Sequence, residues 1–192
     1  MDAKSVYGLV SVAVTLIGIA PYIAGMLRGH TKPHMFSWFL WGFTSWIVMA
    51  AQTWDHAGAG SWAMLTAALV CTSVFILCFW VGEKNITRAD WVMFSIGLAA
   101  VPAWMITKNP LLSVVIVSLV DLVAYGPTIR KSWTKPRDEV AFMYMTAGTW
   151  QAFSLLAMER FTLVNVLSPA SLLCINCLFV PYLLIRRRFT DG

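Results

Sequence analysis

The chain has 192 residues, 59% of them apolar and 12% charged, with a mean hydropathy of +0.71 and a net charge of +5. That composition lacks the polar surface needed to cover a soluble globule, which excludes a soluble enzyme or binding domain and points to an integral membrane protein. The basic residues are scattered over short polar breaks, so they argue against a nucleic-acid partner and leave a modest attraction to anionic lipid heads as a by-product.

A helix needs about 20 predominantly apolar residues to cross a bilayer, and seven such stretches follow one another. The first runs from Ser5 to Leu27. It is longer than a signal sequence, lacks a small-x-small cleavage site and is followed by Arg28 and Lys32, so it reads as an uncleaved span. Pro21 and Tyr22 lie near its end, and a proline there frees a carbonyl and bends the helix, a candidate hinge. Pro33 then signals the start of the second stretch, Met35 to Trp54. Helical spacing puts Trp38, Trp41, Ser45 and Gln52 on one face of it and Phe39, Phe43 and Trp46 on another.

The third stretch, Ser61 to Val81, is apolar on every face, which favours helices over the alternating strands of a barrel. The fourth, Trp91 to Thr107, is short, carries Pro102 and Trp104, and reads as a connector. The fifth, Leu111 to Ile129, contains Asp121, Tyr125 and a second candidate hinge at Pro127. Pro136 announces the sixth, Val140 to Met158, where Tyr144, Gly148 and Gln151 form a narrow polar stripe and Trp150 lies deep. The seventh, Phe161 to Ile185, holds Asn165, Ser168, Pro169, Ser171 and Asn176, more polarity than a helix facing only lipid would carry.

The loop R-G-H-T-K-P at Arg28–Pro33 returns as K-S-W-T-K-P at Lys131–Pro136, 103 residues later. The same spacing pairs Phe39 with Phe142, Trp41 with Tyr144, Cys71 with Cys174, Ser73 with Asn176 and Phe79 with Tyr182, whereas Pro21 and Pro127 are 106 apart. The expected fold class is therefore an all-α membrane protein of seven transmembrane helices, built as two parallel three-helix repeats joined by a linker helix. Its parts are residues 1–82, a linker at 83–109, and 110–192 with a basic tail. Eleven basic residues fall on one side of a seven-span arrangement and three (Lys4, Lys108 and Arg160) on the other. That bias puts the N-terminus outside and the C-terminus in the cytoplasm, most simply of a cell's inner (plasma) membrane.

Asp121 is the one ionisable residue well inside a span, where a charged carboxylate costs about 2.5 to 3.5 kcal/mol on insertion scales. It is a candidate substrate contact or proton-coupling site, with Tyr125 one turn away to hold it. The plainer reading is a structural carboxyl hydrogen-bonded to a neighbouring span. Asn176 and Ser73, at matched depth, would line a central cavity from both halves. The plainer alternative is glue between helices, at about 0.6 kcal/mol per bond. Trp41, Trp46 and Trp150 lie deeper than an interfacial belt requires and are candidates for a ring-lined site, together with Tyr144 and Gln151. His30, His34 and His56 sit at span ends, so no metal and no cofactor is expected.

Three plus one plus three spans, two bent helices and a mid-membrane Asn176 resemble the SWEET sugar-transporter and PQ-loop superfamily over nearly the whole chain. The resemblance implies a carrier rather than an enzyme, moving a small polar or ring-bearing solute (sugar, amino acid or vitamin-like) by alternating access. It also implies that Asn176 faces the substrate and that an intramembrane acid such as Asp121 couples transport to protons. The family's Pro-Gln pair is not reproduced, since Tyr22 and Thr128 follow the prolines, and Ser73 stands where a second asparagine would be. Vitamin B3 precursor transporters, which line their site with tryptophan, are a second resemblance, kept alive by ten tryptophans. The rival classes are a non-transporting receptor of the same fold and a membrane thiol oxidoreductase using Cys174-Ile-Asn-Cys177. The partners expected are the solute and the bilayer, with room for a homo-oligomer.

Overall fold

The computed structural model describes residues 2–29, 33–82, 86, 88–98, 109–134, 136–138 and 140–190. Residues 30–32 and 135 of the two loop motifs, and Pro102 and Trp104 of the fourth stretch, lie outside the described residues. Among those described, every regular element is helical.

Helix α1 (Ala3–Leu27) begins where the Asp2 carboxyl accepts the Ser5 amide at 3.0 Å, and hydrogen bonding from Ser5 holds that carboxyl below the usual carboxylate value. The helix runs through the exposed Pro21 without interruption. Pro33 precedes α2 (Met35–Trp54), and a 3-10 turn at Gly58–Ser61 leads into α3 (Trp62–Val81). Helix α4 spans Arg88–Leu98. The Asn109 side chain accepts from the amides of Leu111 and Leu112, and Pro110, which needs no partner for its nitrogen, opens α5 (Pro110–Thr134). A second 3-10 turn, Pro136–Asp138, leads to α6 (Ala141–Leu156), and α7 (Leu163–Thr190) closes the chain.

Among the described residues three helices are long and apolar enough to cross a membrane: Ala3–Leu27, Gly58–Val81 with its leading turn, and Leu163–Phe189. Pro110–Leu122 is a shorter apolar stretch. Large apolar side chains lie on the exterior, and polar ones are buried beside an apolar core. Ile17, Leu69, Leu119 and Leu178 are more than half exposed, while Ser11, Thr44, Gln52, Asp121, Gln151, Ser168 and Asn176 are buried. An apolar exterior of this kind suits lipid, and a polar interior needs partners or a wet space.

Helix α3 packs closely on both α1 and α2, and α7 on both α5 and α6, whereas α1 and α2 meet through side chains (Tyr22 on Trp38), as do α5 and α6 (Tyr125 on Tyr144). Across these two groups α1 lies on α6 and α2 on α5. The α1–α6 crossing is close because Gly18 has no side chain where a Cβ would strike the Thr146 hydroxyl, and Ser11 donates to the Trp150 carbonyl at 2.7 Å.

Inward positions of the two groups can be matched, at a spacing that changes from helix to helix. Buried Gly8, Ser11 and Thr15 of α1 correspond to buried Val114, Val117 and Asp121 of α5 at a spacing of 106. Trp41 and Tyr144, 103 apart, hold matching places in α2 and α6. In α3 and α7 buried Ala67/Ser168 and Cys78/Phe179 match at 101. The expected pairing at 103 is therefore two residues out there, a rotation of about 200° at roughly 100° per residue. At the 103 spacing, Cys174 is exposed although Cys71 lines the cavity, and Ser73 is exposed although Asn176 is buried.

Candidate functional site

A cavity of about 170 Å³ lies between the two groups of helices, walled by α1, α2 and α3 on one side and α5, α6 and α7 on the other. Its inward positions carry either small residues (Gly18, Ala67, Ala147) or rings that meet edge to face or at a tilt. Trp38 and Trp41 meet at 5.4 Å in a T-shaped pair, and Tyr125 and Tyr144 at 6.3 Å.

Asp121, 6% exposed, forms part of the wall. Its Oδ1 accepts from Thr44 Oγ1 at 3.0 Å, so α2 supplies the donor. The expected Tyr125 bond to Asp121 is not made. Tyr125 Oη donates instead to Asn176 Oδ1 at 3.1 Å, and Asn176 Nδ2 donates to the Leu172 carbonyl at 2.7 Å. A helical i, i+4 pair stacks its side chains along one face, but here the tyrosine reaches past its own helix to α7. Asn176 thus borders the cavity with its amide already engaged on both sides.

Of the residues singled out in the sequence, Asp121, Tyr125, Asn176, Trp41, Trp150, Tyr144 and Gln151 are brought together around this one space. Two of the candidate solute contacts are placed elsewhere. Ser73 is exposed and donates to the Leu69 carbonyl of its own helix at 2.8 Å. Trp46 is 38% exposed and its Nε1 donates to Thr72 Oγ1 at 3.2 Å, because the five residues separating it from Trp41 turn the helix by about 140°. Pro21 lies on an exposed face away from the cavity; the Pro127 side chain is outside the described residues.

Several lining residues were not singled out. Thr44 and Thr15 lie at the inner positions of otherwise apolar turns, and Trp38 was visible as a member of the same face as Trp41. Cys71 also lines the cavity. Cys174 and Cys177 face outward, and all four cysteines are unbridged. Gln151 Oε1 and Ser168 Oγ are buried polar atoms of lining residues, and the structure gives neither a hydrogen-bond partner. A larger, mostly apolar groove of about 510 Å³ between α6 and α7 shares Tyr144 and Asn176 with the cavity, and none of its described lining residues is charged.

At one end of the bundle several contacts run between the two groups of helices. Arg160 lies 3.9 Å from the Asp55 carboxylate, which also accepts from the Thr162 hydroxyl. Glu159 N donates to the Ala57 carbonyl at 3.1 Å and Ser154 Oγ to the Gly60 carbonyl at 2.8 Å. Asn165 Nδ2 reaches the carbonyls of Asp55 and Arg160, at 3.3 and 2.9 Å. At the opposite end Trp38 Nε1 donates to Tyr22 Oη at 3.2 Å, and Arg186 stacks on Trp133 at 3.9 Å, each a contact within one group.

Among the described residues no cluster of three or more His, Cys, Asp or Glu side chains is arranged to hold a metal. Comparison of the chain with protein-family models, with curated proteins and with solved structures returns no match.

Proposed function

We propose that the protein is a membrane carrier of a small solute, working by alternating access between two three-helix units, residues 1–82 and 110–192, joined through 83–109. The observation that carries this reading is the central cavity: polar and aromatic side chains from both groups converge on it while the outer surface is apolar. The matched packing orders (α3 between α1 and α2, α7 between α5 and α6) and the matched inward positions support a parallel repeat of the SWEET and PQ-loop kind. Seven spans, with the basic loops and C-terminus in the cytoplasm, follow from the same reading.

The Asp55–Arg160 end is then the closed mouth of one state. Rocking the units apart would break contacts made at few points, while the α1–α6 crossing at Gly18 serves as fulcrum. Asp121 faces the cavity, where it can exchange a proton or meet a charged solute.

The test is reconstitution of the full chain into proteoliposomes, with counterflow of a labelled solute drawn from a thermal-shift screen. Concentrative or exchange-driven uptake supports the carrier. Saturable binding with neither would assign the same cavity to a receptor.

A further inference from the structure

The electrostatics of the cavity are one-sided. Among the described residues its wall contains a single formal charge, the Asp121 carboxyl, and no lysine, arginine or histidine. Of the two carboxyl oxygens only Oδ1 accepts from the Thr44 hydroxyl, which also lies 3.1 Å from the Trp41 carbonyl, and the structure places no other hydrogen-bond donor on this carboxyl among the described residues. Two further atoms point the same way. Gln151 Oε1 and Ser168 Oγ, on residues 1% and 0% exposed, are left without partners. A buried carbonyl oxygen is an acceptor only, and leaving it unmet costs about 1 to 3 kcal/mol. The site therefore offers acceptors and lacks cations.

The remaining surface is aromatic. Trp38, Trp41 and Trp150 come from α2 and α6, and Tyr125 and Tyr144 from α5 and α6. The faces of such rings are electronegative and attract a cation within about 6 Å, and in a space of about 170 Å³ a guest lies against several of them. That volume is below the roughly 300 Å³ at which drug-sized pockets begin, so the guest is small.

We propose that the cavity selects a small organic cation, a protonated amine carried on a planar ring, with the ammonium held by Asp121 and the ring held among the tryptophans and tyrosines. Gln151 Oε1 and Ser168 Oγ accept the remaining N–H donors. A neutral sugar would leave the carboxylate without a counter-charge, and an anion would be repelled by it. This assignment rests on the carrier reading for its purpose but not for its test, because binding can be measured without transport.

The probes are 2-phenylethylammonium, 2-phenylethanol and 3-phenylpropionate, which share a ring and differ in the charge of the tail. Each is titrated into the detergent-purified full-length protein at pH 7.5, with tryptophan quenching and thermal shift as readouts. The expected result is saturable binding of the ammonium, at least tenfold weaker binding of the alcohol, and none of the carboxylate. Asp121→Asn, which keeps an acceptor for Thr44, is expected to reduce the ammonium preference to less than threefold. Equal binding of alcohol and ammonium, preference for the carboxylate, or saturation by none of the three overturns the assignment, as does a folded Asp121→Asn protein that keeps the tenfold ratio. If that variant does not fold, the ratio measured on the unaltered protein decides. Ammonium binding without uptake in proteoliposomes would remove the carrier and leave the ligand class standing; uptake of a neutral solute without ammonium binding would do the reverse.

Discussion

Gln52 Nε2 donates to the main-chain carbonyl of Asn165 at 3.0 Å, and this is the carbonyl that α7 cannot satisfy itself, because Pro169 four residues on has no amide hydrogen. A proline in one helix has created an acceptor that a side chain from another helix fills. Gln52→Leu should leave that carbonyl buried and unmet, lowering stability by about 1 to 3 kcal/mol. The melting temperature in detergent should fall by several degrees, at about 2 to 4 °C per kcal/mol for a chain of this length. Pro169→Ala restores the helical bond, so the double variant should melt above Gln52→Leu alone, a non-additivity that a double-mutant cycle reads directly. Additive losses would show that the bond is incidental.

The Tyr125–Asn176 pair yields a second test. Since the Asn176 amide is engaged by Tyr125 Oη and by the Leu172 carbonyl, its removal should be felt first in stability. Tyr125→Phe takes away one donor and one hydroxyl and is expected to cost about 1 to 2 kcal/mol. Asn176→Ala should cost no more in a Tyr125→Phe background than in the parent. Solute affinity measured on the folded fraction should change less than threefold for Tyr125→Phe. A loss of binding of tenfold or more with an unchanged melting temperature would move Asn176 from the frame of the cavity to its contacts.

Close approach at the α1–α6 crossing is testable by volume. A Cβ on Gly18 meets the Thr146 side chain, whose hydroxyl is tied to the carbonyls of Phe142 and Met143 at 3.0 and 2.9 Å and cannot swing away freely. Gly18→Ala should destabilise the protein by about 1 to 3 kcal/mol through overpacking. Thr146→Gly added to it should recover most of that loss by removing the atoms in the way. Thermal unfolding of the four proteins of the cycle gives the answer, and a Gly18→Ala protein as stable as the parent would show that α1 and α6 move apart at no cost.

What could be read from the chain, and what could not, follows the physics of each signal. Helix positions were legible because apolar length sets them, and α2, α3 and α6 begin within a residue of their expected starts. The inner face of α2 was legible because Trp38, Trp41, Ser45 and Gln52 are bound to one side by the helical period alone. Trp46 obeyed the same period and lies outside the cavity with it. Asp121 announced itself by its cost in the membrane, but its donor did not, since Thr44 sits 77 positions away and no local pattern marks it. Ser73 failed for a sharper reason: one register was carried across every helix, and a two-residue difference is enough to turn a side chain from interior to exterior. The Asp55–Arg160 contact was out of reach, because loop residues carry no periodicity from which a partner could be inferred.

That contact supplies the last prediction, and Cys71 is its reporter. In a protein with Cys78, Cys174 and Cys177 changed to serine, the one remaining thiol lines the cavity, so a membrane-impermeant cationic methanethiosulfonate can reach it only through an open mouth. Arg160 is 56% exposed, and exposed pairs contribute about 0 to 1 kcal/mol. Arg160→Ala should therefore raise the labelling rate from that end by no more than about fivefold. Asp55→Ala removes in addition the acceptor of the Thr162 hydroxyl, and should raise the rate further than Arg160→Ala does. A saturating solute should protect the thiol in every variant, since it occupies the same space. Equal labelling of parent and Asp55→Ala from both sides of oriented vesicles would mean that these contacts join two loops without closing anything, and the closed mouth would have to be sought elsewhere.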